Sequence, residues 1–288
     1  PFDAFESLTG ELEFSPTLFV LGGVAMDVMS HPQYVGTRVF VDAGIHCTEK
    51  ARKRGFKILY GFPNNNSLPG FIRRLNWDHT GAIAHWVRPL KLSNYPKVPK
   101  VLGPFVNLAT NFLSTGNVGN YKVKIGIPRD EEILALLKPR PKFDRKCQIN
   151  RDTDWFYSRY SNKTYSHYEW VSVYKGDEIS ALGIWGMRNK RWGTEFNSRA
   201  QITELFGKKS DALLAVLSTI IARAKIKDAM LLETVTNDQK LEKVLRGCSF
   251  FKHNQIPLIV KDIGREELPT NIHHHPNWNI FGGDVDTF

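Results

Sequence analysis

The chain has 288 residues with 42% hydrophobic and 24% charged side chains and a formal net charge of +10, a balance that indicates a water-soluble globular protein long enough for two domains. Its longest apolar runs, residues 18–26 and 212–222, fall short of the ~20 residues a membrane-spanning helix needs, and the sequence does not open on a charged-then-apolar leader. Cys47, Cys147 and Cys248 are too far apart for a zinc signature or a disulfide framework, so a reducing cytoplasm and no metal are expected.

The first strong element is the apolar strand "LFVLGGVAMDVM" (18–29), which runs into the turn "HPQYVGTRVF" (31–40) with its lone Gly36. A helix follows, with Val39, Phe40, Ala43, Cys47 and Ala51 on its expected core face and Asp42, His46, Glu49, Lys50 and Lys53 on its wet face. Gly55 marks its end. Next come a short buried strand "KILYGFP", a loop "NNNS", a short helix "LPGFIRRL" with Pro69 in its first turn, and a strand "AIAHWV". Unpaired N–H groups at the start of the long helix make the strand-to-helix turn a natural anion site.

A connector follows, marked by Pro89, Pro96, Pro99, Pro104, Pro139 and Pro141, with a short helix at "DEEILALL". The order of the first half then returns. A hairpin turns at Lys175-Gly176-Asp177, a strand "SRAQITELFG" leads to a helix capped by Ser210 or Asp211, and Leu213, Val216, Leu217, Ile220 and Ala224 line one side of that helix. After it come a strand "AMLLETV", a "TND" loop, a helix ending at Gly247 and a strand "QIPLIVK". Thr37 lies 40 positions before Trp77, and Asp211 lies 39 before Phe250. Similar order and length point to two copies of one α/β unit, with domains expected at 1–90 and 142–288 and a connector at 91–141.

These residues resemble the GNAT superfamily of CoA-dependent N-acyltransferases. "DVMSHPQYVGTRVF", the long helix, "ILYGFP" and "NNNSLPGFIRRLNW" follow the family's order of strand, glycine turn, helix, strand, Asn-bearing loop and short helix. "GFPNNNSLPGFIRRLNW" is similar to bacterial tandem-GNAT proteins that accompany surface-polysaccharide genes. The resemblance implies an α/β (α+β) fold of two GNAT-like mixed sheets flanked by helices, the second copy degenerate, and acetyl-CoA or another acyl-CoA as co-substrate. Gln33, Gly36, Thr37, Arg38 and Val39 would form the pyrophosphate loop, backbone groups of Val28, Met29 and Ser30 would pair with the pantetheine arm, and Asn65 and Ser67 would face the thioester end. Arg38 stands where the family has Gly or Ala, and Ile72 stands where many members carry a general-acid tyrosine. The second copy has "FGKKSDALL" at the equivalent turn and is expected to bind no CoA. A whole family domain begins with more elements than precede this strand, so the chain is expected to be the back part of a longer protein.

Acyl transfer to an amine needs a base, an oxyanion site and a means to protonate the departing thiolate. Asp27, next to the turn, reads either as that base or as a carboxylate bound to neighbouring backbone. Asp284 and Asp286 in "GGDVDTF" read either as an amine-binding pair or as part of a solvated terminus, although Trp278, Ile280 and Phe281 nearby call for burial. His31, before Pro32, suits a structural role. His273-His274-His275 cannot all face one ion, Cys47 belongs to a core face, and the aromatics Trp155, Phe156, Tyr157, Tyr160, Tyr165, Tyr168 and Trp170 line a sugar or nucleotide site or simply pack.

The basic residues fall in short clusters without a stripe of interleaved aromatics, so a small polar amine acceptor is expected and nucleic acid is not. The leading reading is an acyl-CoA-dependent N-acyltransferase acting on an amino sugar or nucleotide-linked sugar by direct transfer. The alternatives are a non-catalytic degenerate GNAT pair and a Fem-like transferase that uses aminoacyl-tRNA.

Overall fold

A computed structural model of the chain describes residues 6–15, 18–26, 32–34, 37–91, 113, 118–137, 146–161, 168–192, 195–264, 268 and 271–285. The first half gives β1 (Glu6–Ser15), β2 (Leu18–Met26), α1 (Val39–Lys53), β3 (Ile58–Gly61), α2 (Leu68–Leu75) and β4 (Asp78–Pro89). Then follow β5 (Lys122–Ile125), α3 (Asp130–Leu137), β6 (Gln148–Ile149), α4 (Thr153–Tyr160), β7 (Tyr168–Lys175), β8 (Glu178–Trp192), β9 (Glu195–Gly207), α5 (Ser210–Ile226), β10 (Leu231–Thr236), α6 (Gln239–Gly247) and β11 (Phe251–Asp262).

The strands of the described residues join one 11-stranded mixed sheet in the order β5-β7-β8-β9-β10-β4-β11-β3-β2-β1-β6. Each half contributes one parallel pair, β2 with β3 and β9 with β10. The last strand of each half has crossed to the other: β4 lies antiparallel to β10, and β11 lies antiparallel to β3. β4 and β11 pair with each other at the centre, from Phe251 opposite Val87 to Val260 opposite Asp78.

Alternation along the strands divides the core between the two sheet faces. Leu59 and Ile259 pack with Phe40 and Ala51 of α1 and Phe71 and Leu75 of α2. Their neighbours Ile58, Tyr60, Leu258 and Val260 belong to a separate core with Trp278, Ile280 and Val285 from the end of the chain. α5 is buried on nearly every side, from Ala212 through Ile221 to Ala224, against β8 and β9. Of the described aromatics of the 155–170 group, Trp155, Phe156, Tyr160, Tyr168 and Trp170 form one packed cluster with Ile133 of α3, while the Tyr157 hydroxyl donates to Asp130. Tyr165 lies outside the described residues.

One expected face is rotated. Val39 is 46% exposed, and the buried stripe of α1 runs through Gly44, Thr48 and Ala51. A small stripe lets α2 approach closely: a Cβ at position 44 would lie 2.6 Å from Leu75 Cδ1. Thr48 tolerates the contact because its hydroxyl donates to the Gly44 carbonyl at 2.8 Å. Gly55 ends the helix at φ +87°, in the left-handed region glycine favours.

Candidate active site

β2 and β3 pair in parallel over only four rows, from Gly22 opposite Ile58 to Ala25 opposite Gly61, before their carboxyl ends lead to α1 and α2. The ends of neighbouring parallel strands, where helices begin, form the usual ligand crevice of α/β sheets. Gln33 sits in a single 3-10 turn (Pro32–Tyr34) and is exposed. Thr37 closes the approach to α1, donating from its amide (3.1 Å) and its hydroxyl (2.7 Å) to the Tyr34 carbonyl. Arg38 is the N-cap residue and makes no side-chain cap. Its guanidinium is 84% exposed and lies 3.5 Å from Asp42. The structure therefore brings Thr37, Arg38 and Val39 together at the positive end of α1. Asp27, Val28, Met29, Ser30, His31 and Gly36 lie outside the described residues, as does Asp286.

In the loop after β3 the organising residue is Asn64. Its Oδ1 accepts from the Asn66 amide (2.9 Å) and the Ser67 amide (3.0 Å), leaving Asn65 exposed and Ser67 as the N-cap residue of α2. Ile72 packs against the α1–α2 core and brings no proton donor.

The second crevice is filled by the chain itself. β9 and β10 pair over three rows, Arg199 to Gln201 opposite Leu231 to Glu233. Beyond them Phe281 bridges Thr236, and a Cβ at Gly282 would lie 2.6 Å from the Ile202 carbonyl oxygen. At Gly283 a Cβ would lie 2.1 Å from Glu204 Oε1 and 2.3 Å from the Tyr160 hydroxyl oxygen. Two glycines thus let the terminal segment press against strand backbone and a buried carboxylate.

That segment is locked by charge. Arg151 Nη2 donates to Asp284 Oδ1 (2.5 Å) and Glu204 Oε1 (3.4 Å), Nε donates to Glu204 Oε2 (3.2 Å), and Nη1 donates to the Ile149 carbonyl (3.3 Å). The Tyr160 hydroxyl donates to Glu204 Oε1 at 2.8 Å, and Asp284 Oδ2 accepts from the Phe281 amide at 2.9 Å. Glu204 and Asp284 side chains are 0% exposed. Burial, with the second carboxylate of Asp284 close by, pushes Glu204 up to about 7 against the pull of Arg151. Asp284, one of the expected acids, is here sealed in an ion pair with both oxygens engaged.

Besides this lock, two features escaped the sequence reading. Tyr60, opposite Val24 one row before β2 and β3 stop pairing, points away from the α1–α2 core and into the core of the terminal segment. Its ring packs against Phe62 (6.0 Å between centroids) and Trp278 (5.6 Å). Burial first and the negative charge of Asp284 second hold its phenol far above the usual range. The "ILYGFP" pattern signals burial of the strand but not this neighbourhood. At the seam of the halves, Glu233 lies 3.3 Å from His85 Nε2 and from Arg199 Nη1, and it accepts from Gln201 at 3.0 Å. Burial pushes Glu233 up, and the contacts with His85 and Gln201 outweigh it and hold it below the ordinary carboxylate range. The histidine run carries no such cluster. His273 faces Asp78 at 3.1 Å while His275 backs onto Gly81, and among the described residues no three metal-ligating side chains converge.

No protein-family model matches the sequence, and no curated protein matches it. Solved structures do match. The chain aligns over 90% of its length with a GCN5-related N-acetyltransferase from Anabaena variabilis (TM-score 0.59, 11% identity) and with Saccharomyces cerevisiae N-myristoyltransferase with bound myristoyl-CoA (TM-score 0.64, 11% identity). It aligns over 87% of its length with a tandem GNAT protein from the clavulanic acid biosynthesis pathway (TM-score 0.54, 13% identity). It spans 59%, 63% and 79% of those three chains respectively. The mixed sheet flanked by helices is thus the GNAT fold. The particular form is the tandem one, two GNAT-like units built into one sheet.

Proposed function

We propose that the protein is an acyl-CoA-dependent N-acyltransferase whose first half holds the acyl-CoA and whose second half shapes the acceptor side. The observation that carries this reading is the asymmetry of the two crevices: the second is filled by residues 281–284, while the first meets the amino end of α1 with Arg38 beside it. The residues fit the ligand's chemistry. First-turn amides of α1 and the exposed Arg38 guanidinium suit a pyrophosphate, and the edges of β2 and β3 beyond their four paired rows suit an added strand-like arm. Acyl-CoA supplies an activated thioester; acetyl-CoA is the first expected donor.

The acceptor proposed is a polar amine such as an amino sugar or nucleotide-linked sugar, acylated directly without a covalent enzyme intermediate. Asp27 remains the proposed base, placed by the sequence next to the turn. Asp284 and Asp286 remain proposed on the acceptor side, Asp284 only when its pair with Arg151 opens. The proposed domains are the two halves flanking the 91–141 connector, each completed by the other's last strand. One observation favours a second reading, a binding module without turnover: Ile72 packs against the α1–α2 core and has no proton to give.

Isothermal titration with acetyl-CoA tests the assignment. The wild type is expected to bind in the micromolar range, and Arg38→Ala to bind about threefold to tenfold more weakly. Absence of binding to acetyl-CoA and to longer acyl-CoAs would refute the transferase reading. Binding without thiol release across a screen of amino sugars would select the module.

A further inference from the structure

We propose that residues 281–285 form a hinged lid over the second crevice, held shut through Arg151 and lifting as pH rises, so that proton concentration governs access to that side of the molecule. Its value as a gate to the acceptor rests on the acyl-CoA reading above; the lid itself does not. The terminal segment is built in two parts. Its stem is clamped by Asn237, whose Nδ2 donates to the Trp278 carbonyl (2.8 Å) and whose Oδ1 accepts from the Ile280 amide (2.9 Å), with both of those side chains sunk in the core. Its tip follows at once and turns on Gly282 and Gly283, two residues without side chains that suit a hinge. The tip is held by the bridge of Phe281 to Thr236, by Val285 in the core, and by the ion pair of Asp284 with Arg151.

The tip sits directly on a carboxylate. A Cβ at Gly283 would lie 2.1 Å from Glu204 Oε1, so lifting the tip uncovers Glu204 to water. Among the described residues, the charged and titratable groups facing Glu204 and Asp284 are Arg151 beyond β6, Arg159 and Tyr160 of α4, Tyr60 of β3, and Cys147. The two guanidiniums stay charged, because the neighbouring anions outweigh burial. Burial first, then a nearby carboxylate, keeps Tyr60, Tyr160 and Cys147 protonated. Glu204 is the member that changes near neutrality: under the closed tip, burial holds its proton up to about 7. Once uncovered, it returns towards the ordinary carboxylate range of ~4.5. Lifting therefore releases a proton, and rising pH favours it. Below pH ~4.5 the proton is bound in both states and the lid is held most tightly. Between ~4.5 and ~7 the lifted fraction grows ~tenfold per pH unit, ~300-fold in all, and above ~7 it levels off.

Amide hydrogen exchange, read by mass spectrometry over a pH series and divided by the intrinsic exchange rate, tests this on the full chain. The Asp284 and Val285 amides, which donate to the Phe281 (2.9 Å) and Gly282 (3.2 Å) carbonyls, report the tip. The amides of α5, buried on nearly every side, report unfolding of the whole. The expected result is that the tip opens more readily than α5 at every pH, with an opening constant that climbs ~tenfold per pH unit from about pH 5 to 7 and then flattens. In Glu204→Gln the climb should vanish. Tip amides that exchange only at the α5 rate would overturn the proposal, as would a wild-type opening constant that does not change with pH, or a climb that survives in Glu204→Gln. The wild-type series decides alone if that variant does not fold. No acyl-CoA is present, so a negative result here leaves the transferase reading standing, and a failed acetyl-CoA titration leaves the lid standing.

Discussion

Replacing Arg151 by Met should unlock the terminal segment and cost more than most single changes. One guanidinium, 4% exposed, serves two carboxylates that are 0% exposed, and removing one partner of a buried ion pair costs ~3–5 kcal/mol. With two carboxylates stranded, the upper end of that range is expected at pH 8. The deficit must depend on pH. Without the cation, burial and the neighbouring carboxylate hold the folded-state pKa of Glu204 still further above its unfolded value of ~4. Stability from such a raised group is intact below the unfolded value and is lost as pH rises through the folded one. The variant should therefore come closer to wild type at pH 5 than at pH 8. The same sign is expected of the wild type in milder form: with Glu204 pushed up to about 7, stability should fall by on the order of 3 kcal/mol between pH ~4.5 and ~7, and Glu204→Gln should flatten that slope. Urea unfolding followed by tryptophan fluorescence at both pH values measures all of this. Arg151→Met combined with Glu204→Gln should recover part of the loss. A single-variant deficit under ~1 kcal/mol at pH 8, or one equal at pH 5, would show that the pair does not hold the segment.

Gly282→Ala places a Cβ 2.6 Å from the Ile202 carbonyl oxygen, which is backbone and cannot yield, so the segment should leave its slot. Limited proteolysis near residues 281–285 would report it, and an unchanged cleavage pattern would contradict the packing. Gly44→Ala drives a methyl to 2.6 Å from Leu75 Cδ1 and should cost ~1–3 kcal/mol by overpacking, less the ~1 kcal/mol that Ala gains in a helix; chemical denaturation gives the net.

Local signals carried much of this architecture. The order of strands and helices in each half was legible because periodicity changes from two to 3.6 at each junction, and Gly55 and Gly176 punctuate it with positive φ. The burial of Trp278, Ile280 and Phe281 followed from their hydrophobicity. Partner choice was not legible. β4 and β11 are both apolar enough to sit anywhere in the sheet, and nothing in "AIAHWV" or "QIPLIVK" says that each pairs with the opposite half. The Arg151–Glu204–Asp284 lock and the His85–Glu233 contact join residues far apart in sequence, where neither spacing nor charge pattern identifies a partner. Val39 was misassigned because a face built on Gly44 and Thr48 has little apolar signal of its own.

The exchange of last strands also sets a timetable for the nascent chain. β3 is complete at Gly61, but the strand that covers its edge, β11, begins only at Phe251. At a synthesis rate of ~5–20 residues per second, that edge waits roughly 10–40 s for its partner. During that interval β3 is an open template for any strand nearby. Separating the halves by cutting the connector would make the wait permanent, so each half made alone should aggregate, while the two made together should recover a soluble sheet.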